Sequence, residues 1–178
     1  MTGDHQVMIG NTLVGKGFPI LIQTMYDSAL PKDNGALDDL IRRIGKLNAM
    51  GCDIIRFSYP SKDDHASFSY ICKHSPIPVV ADIHFDYELA LDAIACGCQK
   101  IRINPGNIGA RWKVDEVVKS AKDHNIAIRI GLNSGSLPKG NDPVPNLMCN
   151  SALEYLSWFE QANFTNTVVS LKASDTEV

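Results

Sequence analysis

The chain has no uninterrupted apolar run of about 18 residues, so it offers no membrane-spanning helix. Its opening residues, Met-Thr-Gly-Asp-His-Gln, lack both the basic patch and the apolar stretch of a secretion signal. It has no excess of positive charge: 17 Lys and Arg face 20 Asp and Glu, a net charge of −3, so no basic field argues for nucleic acid. Cysteines are few and odd in number, five in all, which without a leader suggests reduced thiols in a cytoplasm. The one close pair, Cys96-Gly-Cys98, lacks the usual zinc or redox spacing. It reads as two small semi-buried residues around a helix stop at Gly97, with no metal ligand assigned. No glycine fingerprint of the dinucleotide type follows the first strand.

What is present fits one soluble domain: 178 residues, 44% hydrophobic, long enough to bury a real core. Residues 7–17 read as a hairpin, two short apolar runs around the turn signal Gly10-Asn11. Beyond it, apolar strands alternate with helices. The strand candidates are Pro19–Thr24, Asp53–Ser58, Pro78–Ile83, Lys100–Asn104, Ala127–Asn133 and Thr167–Lys172. Between them Leu37, Leu40, Ile41, Ile44 and Leu47 keep helical spacing, and Gly51 stops that helix. Ser61 and Asp64 resemble a capping box before His65–Lys73, and Asp86 can cap Tyr87–Cys96. Val114, Val117, Val118 and Ala121 line a helix ending near Asn125, and Leu153, Leu156 and Phe159 line a last one ending near Asn163.

Six strands each separated by a helix mean a parallel sheet with helical crossovers, an α/β fold. Ile-Arg-Ile-Asn at 101–104 echoes Ile-Arg-Ile-Gly-Leu-Asn at 128–133, which points to repeated units and a TIM (β/α)8-type barrel. A doubly wound sheet is the alternative. A whole barrel takes about 250 residues, so the expectation is an incomplete barrel, residues 1–178, of six β/α units and an N-terminal hairpin.

Strands of a parallel sheet are usually continuously apolar. Here four carry a cation late in the run: Arg56, Arg102, Arg129 and Lys172. Isolated buried charges cost several kcal/mol each, and barrel strands converge at their C-terminal ends. The cations would meet there and require an anion such as phosphate or diphosphate, which suits the guanidinium fork. The competing reading pairs each cation with a neighbouring carboxylate, but Asp82 is the sole acid inside these strand ends, with Asp175 following shortly after the sixth. Asn104-Pro105-Gly106-Asn107 reads as a turn with a positive φ at Gly106, whose N–H groups could help hold an anion behind Arg102. Gln23, Asn104, Asn133 and Ser170 add polar groups. Asp82-Ile-His84 places a carboxylate and an imidazole two residues apart, an acid–base pair, part of a metal site or a structural hydrogen bond. His5, His65, His74 and His124 fall in helical or terminal stretches and are expected to be solvated.

Four motifs carry a resemblance: Val80-Ala-Asp-Ile-His-Phe-Asp-Tyr87, Lys100-Ile-Arg-Ile-Asn-Pro-Gly-Asn-Ile-Gly109, Ile128-Arg-Ile-Gly-Leu-Asn-Ser-Gly-Ser-Leu137 and Leu171-Lys-Ala-Ser-Asp175. In this order and over nearly the whole chain, they resemble the 4-hydroxy-3-methylbut-2-enyl diphosphate synthase family. The resemblance implies an oxidoreductase of non-mevalonate isoprenoid biosynthesis that reductively opens 2-C-methyl-D-erythritol 2,4-cyclodiphosphate. It implies a TIM barrel that holds the diphosphate and a separate C-terminal domain with a 4Fe-4S cluster. Ferredoxin or flavodoxin would be the electron donor, and a homodimer would bring each barrel to its partner's cluster. By matching motif, Arg56, Arg102, Asn104, Arg129, Asn133 and Lys172 would bind substrate, with Asp82 and His84 as catalytic groups. Gln23-Thr-Met-Tyr-Asp-Ser28 departs from the family's usual Gln-Ser-Met-Thr-Asn-Thr, and so does the end of the second strand, Phe57-Ser-Tyr-Pro60. The last two barrel strands and the cluster ligands would lie outside these residues. The chain alone would then be inactive, bind its ligand weakly and dissolve poorly. A non-catalytic phosphate-binding module and a different phosphate-handling barrel enzyme are the alternatives.

Overall fold

The computed structural model describes residues 5–137 and 142–174. A two-stranded antiparallel hairpin, β1 (Gln6–Ile9) and β2 (Thr12–Gly15), precedes the main sheet. Its two-residue loop is Gly10-Asn11, and Gly10 takes a φ of 58°, as such a tight turn requires. Six parallel strands then follow in chain order: β3 (Gln23–Tyr26), β4 (Ile54–Ser58), β5 (Val79–Asp82), β6 (Lys100–Ile103), β7 (Ala127–Asn133) and β8 (Thr167–Lys172). Each strand pairs with its neighbour in sequence, the order of a (β/α) barrel and not of a doubly wound sheet. Among the described residues the sheet is open: β3 and β8 each pair on one side.

The helices between them are α1 (Asn34–Ala49), α2 (His65–His74), α3 (Tyr87–Ala95), α4 (Pro105–Ile108), α5 (Arg111–Asp123) and α6 (Val144–Gln161). Their ends follow local chemistry. Asp33 accepts from the Ala36 N–H at 2.8 Å to start α1, and Asp86 accepts from the Glu88 N–H at 2.9 Å to start α3. Left-handed residues stop them: Gly51 after α1, Gly97 after α3, Asn125 after α5 and Asn163 after α6.

The period of two along the strands divides the core. Ile55, Phe57, Val79, Ala81, Ile101, Ile103, Ile128 and Ile130 face the helices and are fully buried there. Each such side chain contributes about 1.5–3 kcal/mol by leaving water. The opposite face carries Ile54, Val80 and Ala127 at its lower end, packed on Val7 and Ile9 of the hairpin. The hairpin thus plugs the N-terminal end of the barrel. Asn166 fixes it there, accepting from the Met8 N–H at 2.8 Å and donating to the Met8 carbonyl at 2.9 Å.

Four expectations change. The first parallel strand begins at Gln23, not Pro19, because Gln23 is the residue that registers with Ile54. Ile20 and Ile22 look like strand residues but are exposed. Ser61 does cap, but it accepts from the Asp63 N–H at 3.1 Å and starts a 3-10 turn, Lys62–Asp64, ahead of α2. Asp64 then bonds Lys32 and does not complete a capping box. Leu153 lies on the exposed side of α6, where Met148, Ala152, Tyr155 and Phe159 supply the buried face. Gly106 lies within the single helical turn α4, and the positive φ falls on Gly109 at 97°.

The cysteine reading holds for position: Cys52, Cys96 and Cys98 are buried. Burial pushes the Cys98 thiol up to about 12 and the Cys72 thiol upward as well. No helix of the described residues is long and apolar enough to cross a membrane.

The outer face of β8 leaves Val169 and Leu171 38% and 47% exposed beside an unpaired edge. A polypeptide of residues 1–178 is therefore expected to self-associate through this edge. Sedimentation should show concentration-dependent assembly that Val169→Lys with Leu171→Lys reduces. A monodisperse, cooperatively melting wild-type monomer would contradict this.

Candidate functional site

The inward face of the sheet turns polar toward the C-terminal ends of its strands. Arg56 of β4, Asp82 of β5, Arg102 of β6, Arg129 of β7 and Ser170 with Lys172 of β8 all line one cavity of about 400 Å³. Asn107, His84 and Asn133 stand at its rim. The strand register produces this convergence: Asp82 sits opposite Ser58 and Arg102, Arg102 opposite Arg129, Gly131 opposite Ser170, and Asn133 opposite Lys172.

Asp82 is the carboxylate among these lining residues. It lies 3.3 Å from Arg102 Nη1 and 3.7 Å from Arg56 Nε. Asp82 is almost wholly buried, so its attraction to both guanidinium groups is screened less than at a surface. One carboxylate thus serves two of four cations. Arg102 also donates to the Gly131 carbonyl at 3.2 Å. Gly131 is required for that approach, because a Cβ there would stand 2.4 Å from Arg102 Nε. Arg56 rests against the Met25 sulfur, 2.9 Å from Nη2.

Arg129 donates to Ser170 Oγ at 2.5 Å, while its Nε is buried with no hydrogen-bond partner. Burial lowers the Arg129 pKa most, the nearby Arg56 and Arg102 lower it further, and Asp82 partly offsets them. An orphaned buried donor on a guanidinium surrounded by like charges is a position that an anionic oxygen would satisfy.

The structure also brings in Lys100, which lies two residues before Arg102 on the same face of β6 and is 4% exposed. It donates to Gln23 Oε1 at 3.1 Å. Burial, reinforced by Arg129 and Arg56, pushes its pKa down to about 8. Sequence reasoning missed it because it opens the strand, where a cation reads as a solvated end. The signal was its spacing of two from Arg102.

Asn104 is not among the residues that line the cavity, whereas His84 lines it but is not bonded to Asp82. Asn104 is buried, and its Oδ1 accepts from the Gly106 N–H at 3.2 Å, so it caps α4 from beneath the cavity lining. The Asn107 and Ile108 N–H groups donate to the Asn104 carbonyl at 2.9 and 3.1 Å. The turn therefore uses these N–H groups internally, and its contribution to the cavity is Asn107. His84 is exposed, and Asp82 bonds the two arginines in place of its imidazole. Asp175, the other acid considered for Lys172, lies outside the described residues.

The family model "GcpE TIM-barrel domain" matches residues 4–178. The chain belongs to this family. The flavodoxin-type 4-hydroxy-3-methylbut-2-en-1-yl diphosphate synthase of Clostridium perfringens is 43% identical over 178 residues, 97% of this chain and 50% of that protein. That of Symbiobacterium thermophilum is 42% identical over 173 residues, 94% of this chain and 46% of that protein. The chain thus spans about half the length of the curated relatives it matches. Among solved structures, a Xanthomonas albilineans dihydropteroate synthase aligns with a TM-score of 0.64 at 12% identity over 93% of this chain and 64% of its own. A truncated Thermotoga maritima 3-deoxy-D-arabino-heptulosonate 7-phosphate synthase aligns at 0.62 and 13% over 97% and 60%. These two similarities speak for the barrel fold alone.

Lys100 gives a test with a defined sign. Its folded pKa of about 8 lies below the ordinary 10.5, so between those values the unfolded chain binds more protons and stability rises with pH. Below pH 8 the buried charge costs on the order of 3 kcal/mol. Lys100→Met should raise stability at pH 7, and the gap to wild type should close toward pH 10.5. A gap that does not change with pH would show that Lys100 is not a buried cation.

Proposed function

We propose that this chain is the substrate-binding barrel of a flavodoxin-dependent 4-hydroxy-3-methylbut-2-en-1-yl diphosphate synthase. Its cationic cavity holds the diphosphate of 2-C-methyl-D-erythritol 2,4-cyclodiphosphate. The observation that carries the reading is that four cations, Arg56, Arg102, Arg129 and Lys172, line one cavity with a single carboxylate among the described residues. The curated relatives at about 42% identity bear the name of this activity.

The reaction opens the ring at a carbon–oxygen bond to the diphosphate and removes a hydroxyl. Two electrons and two protons enter and one water leaves. As the ring opens, the departing diphosphate oxygen gains negative charge. Preplaced guanidinium groups stabilise that charge without having to reorganise. Asp82 holds Arg56 and Arg102 in position by pairing with both. His84 stands at the rim, where an imidazole can deliver a proton to the leaving hydroxyl.

A 4Fe-4S cluster, as the family resemblance implies, would supply the two electrons. The cysteines of this chain do not suit such a cluster. Cys52, Cys96 and Cys98 are buried in the outer core, and no cysteine lines the cationic cavity. The cluster ligands are therefore assigned outside residues 1–178, and the residues described here bind, orient and protonate. In the assembled homodimer, the barrel of one cytoplasmic subunit would face the cluster of its partner.

Calorimetric titration tests the substrate. The cyclic diphosphate should bind more tightly than a linear diphosphate of equal charge, and Arg102→Ala should weaken it about 10- to 100-fold. Equal affinity for the two ligands would overturn the substrate assignment, and unchanged affinity in the variant would overturn the role of Arg102.

A further inference from the structure

A second cluster of chemically capable side chains lies on the outside of the barrel, between α2 and α3. His65 opens α2, while Asp92 of α3 and Cys96, the helical-conformation residue that caps its C-terminal end, stand four residues apart and therefore share one face. His65 Nδ1 lies 2.9 Å from Asp92 Oδ1 and 3.4 Å from Cys96 Sγ. All three donor atoms fall within 4.8 Å of one another. Cys96 is buried, the Asp92 side chain is 20% exposed, and the His65 side chain is 50% exposed, so the cluster opens to solvent on the imidazole side. His65 is exposed, as expected, and in addition contacts Asp92 and Cys96. His74 and His124, by contrast, bond the carbonyls of Tyr70 and Ser120 in their own helices.

We propose that His65, Asp92 and Cys96 bind a thiophilic divalent cation, zinc above all. Imidazole nitrogen, carboxylate oxygen and thiolate sulfur are the zinc donor set. Zn–S of about 2.3 Å and Zn–N or Zn–O of about 2.0 Å in a tetrahedron put N and S about 3.5 Å apart and N and O about 3.3 Å apart. The observed 3.4 and 2.9 Å lie within a few tenths of an ångström of these two separations, and the Asp92 oxygen and Cys96 sulfur lie within 4.8 Å of each other. A fourth, open position faces solvent beside the exposed imidazole. The Tyr59 hydroxyl donates to the other oxygen of Asp92 and orients the carboxylate, as outer partners of metal ligands do.

Two other readings of the cluster fare worse. A Cys-His-Asp nucleophilic relay needs thiol and carboxylate on opposite ring nitrogens, whereas both stand at Nδ1 here. A plain hydrogen-bond network can pair Nδ1–H with Asp92 and let the Cys96 thiol donate weakly to the His65 carbonyl at 3.7 Å, which leaves the 3.4 Å approach of Sγ to Nδ1 without a bond of its own. A cation at the point where the three atoms converge serves all of them. It also neutralises Asp92 and a Cys96 thiolate, and it ties α2 to α3.

Cobalt(II) replaces zinc in such sites and reports sulfur ligation through a thiolate-to-metal absorption band. The 178-residue chain should take up one Co²⁺ with that band, and Zn²⁺ should displace it. Cys96→Ser should abolish the band. His65→Ala, at the exposed side of the site, should weaken binding at least tenfold. Cys149→Ser, which removes an exposed thiol on α6, should leave the band unchanged. Circular dichroism checks that each variant is folded, and if Cys96→Ser unfolds, His65→Ala decides. No band in the wild-type chain, a band that survives in folded Cys96→Ser, or unchanged affinity in His65→Ala would overturn the site.

Discussion

The strand ends are organised by an imbalance of charge. Register brings Arg56, Arg102 and Arg129 together on one face of three strands, with Lys172 at the rim and Lys100 beneath. Asp82, the carboxylate that answers them, pairs with two. Like charges held in a half-buried cleft repel, and the cost grows as water is excluded. Burial and this repulsion lower the Lys100 pKa to about 8 and pull Arg129 below its ordinary value. Much of the surrounding detail serves to keep the cations in place. Gly131 leaves room for Arg102, Met25 packs on Arg56, and Ser170 bonds Arg129. Hydrophobic burial on the far face of the same strands supplies the stability that tolerates the strain.

This division of labour follows from the two-residue period of a strand. Odd and even residues of one short segment do opposite things. In β6, Ile101 and Ile103 build the helix-facing core, while Lys100 and Arg102 build the charged face. The open edges of β3 and β8 complete the picture. About half the length of the GcpE relatives lies outside the match, and Val169 and Leu171 stand exposed beside the β8 edge.

The alternation of strands and helices was legible because each strand is β-branched, each crossover is amphipathic, and Gly51, Gly97, Asn125 and Asn163 stop helices where turn chemistry says they should. The cationic strand ends were legible because a charge late in a buried strand is costly without a purpose. The start of β3 was not legible, because the Ile20 and Ile22 alternation imitates a strand, and only pairing with Ile54 fixes the register. Nor was the fate of Asn104 legible, since a side chain that caps a short helical turn and one that faces a ligand share the same sequence. The spacing of two from Arg102 placed Lys100 on the charged face, but its bond to Gln23 spans 77 residues and the His65–Asp92–Cys96 contacts span 27 to 31, which no local spacing encodes.

The central claim is that these cations require an anion to balance them. Thermal unfolding in rising inorganic diphosphate, with chloride adjusted to hold ionic strength constant, measures this most directly. A ligand that binds only the folded chain raises the melting temperature with the logarithm of its concentration once past saturation. Diphosphate should produce such a rise, with none from chloride and little in Arg129→Met. A melting temperature that follows ionic strength alone, or rises equally in Arg129→Met, would contradict it.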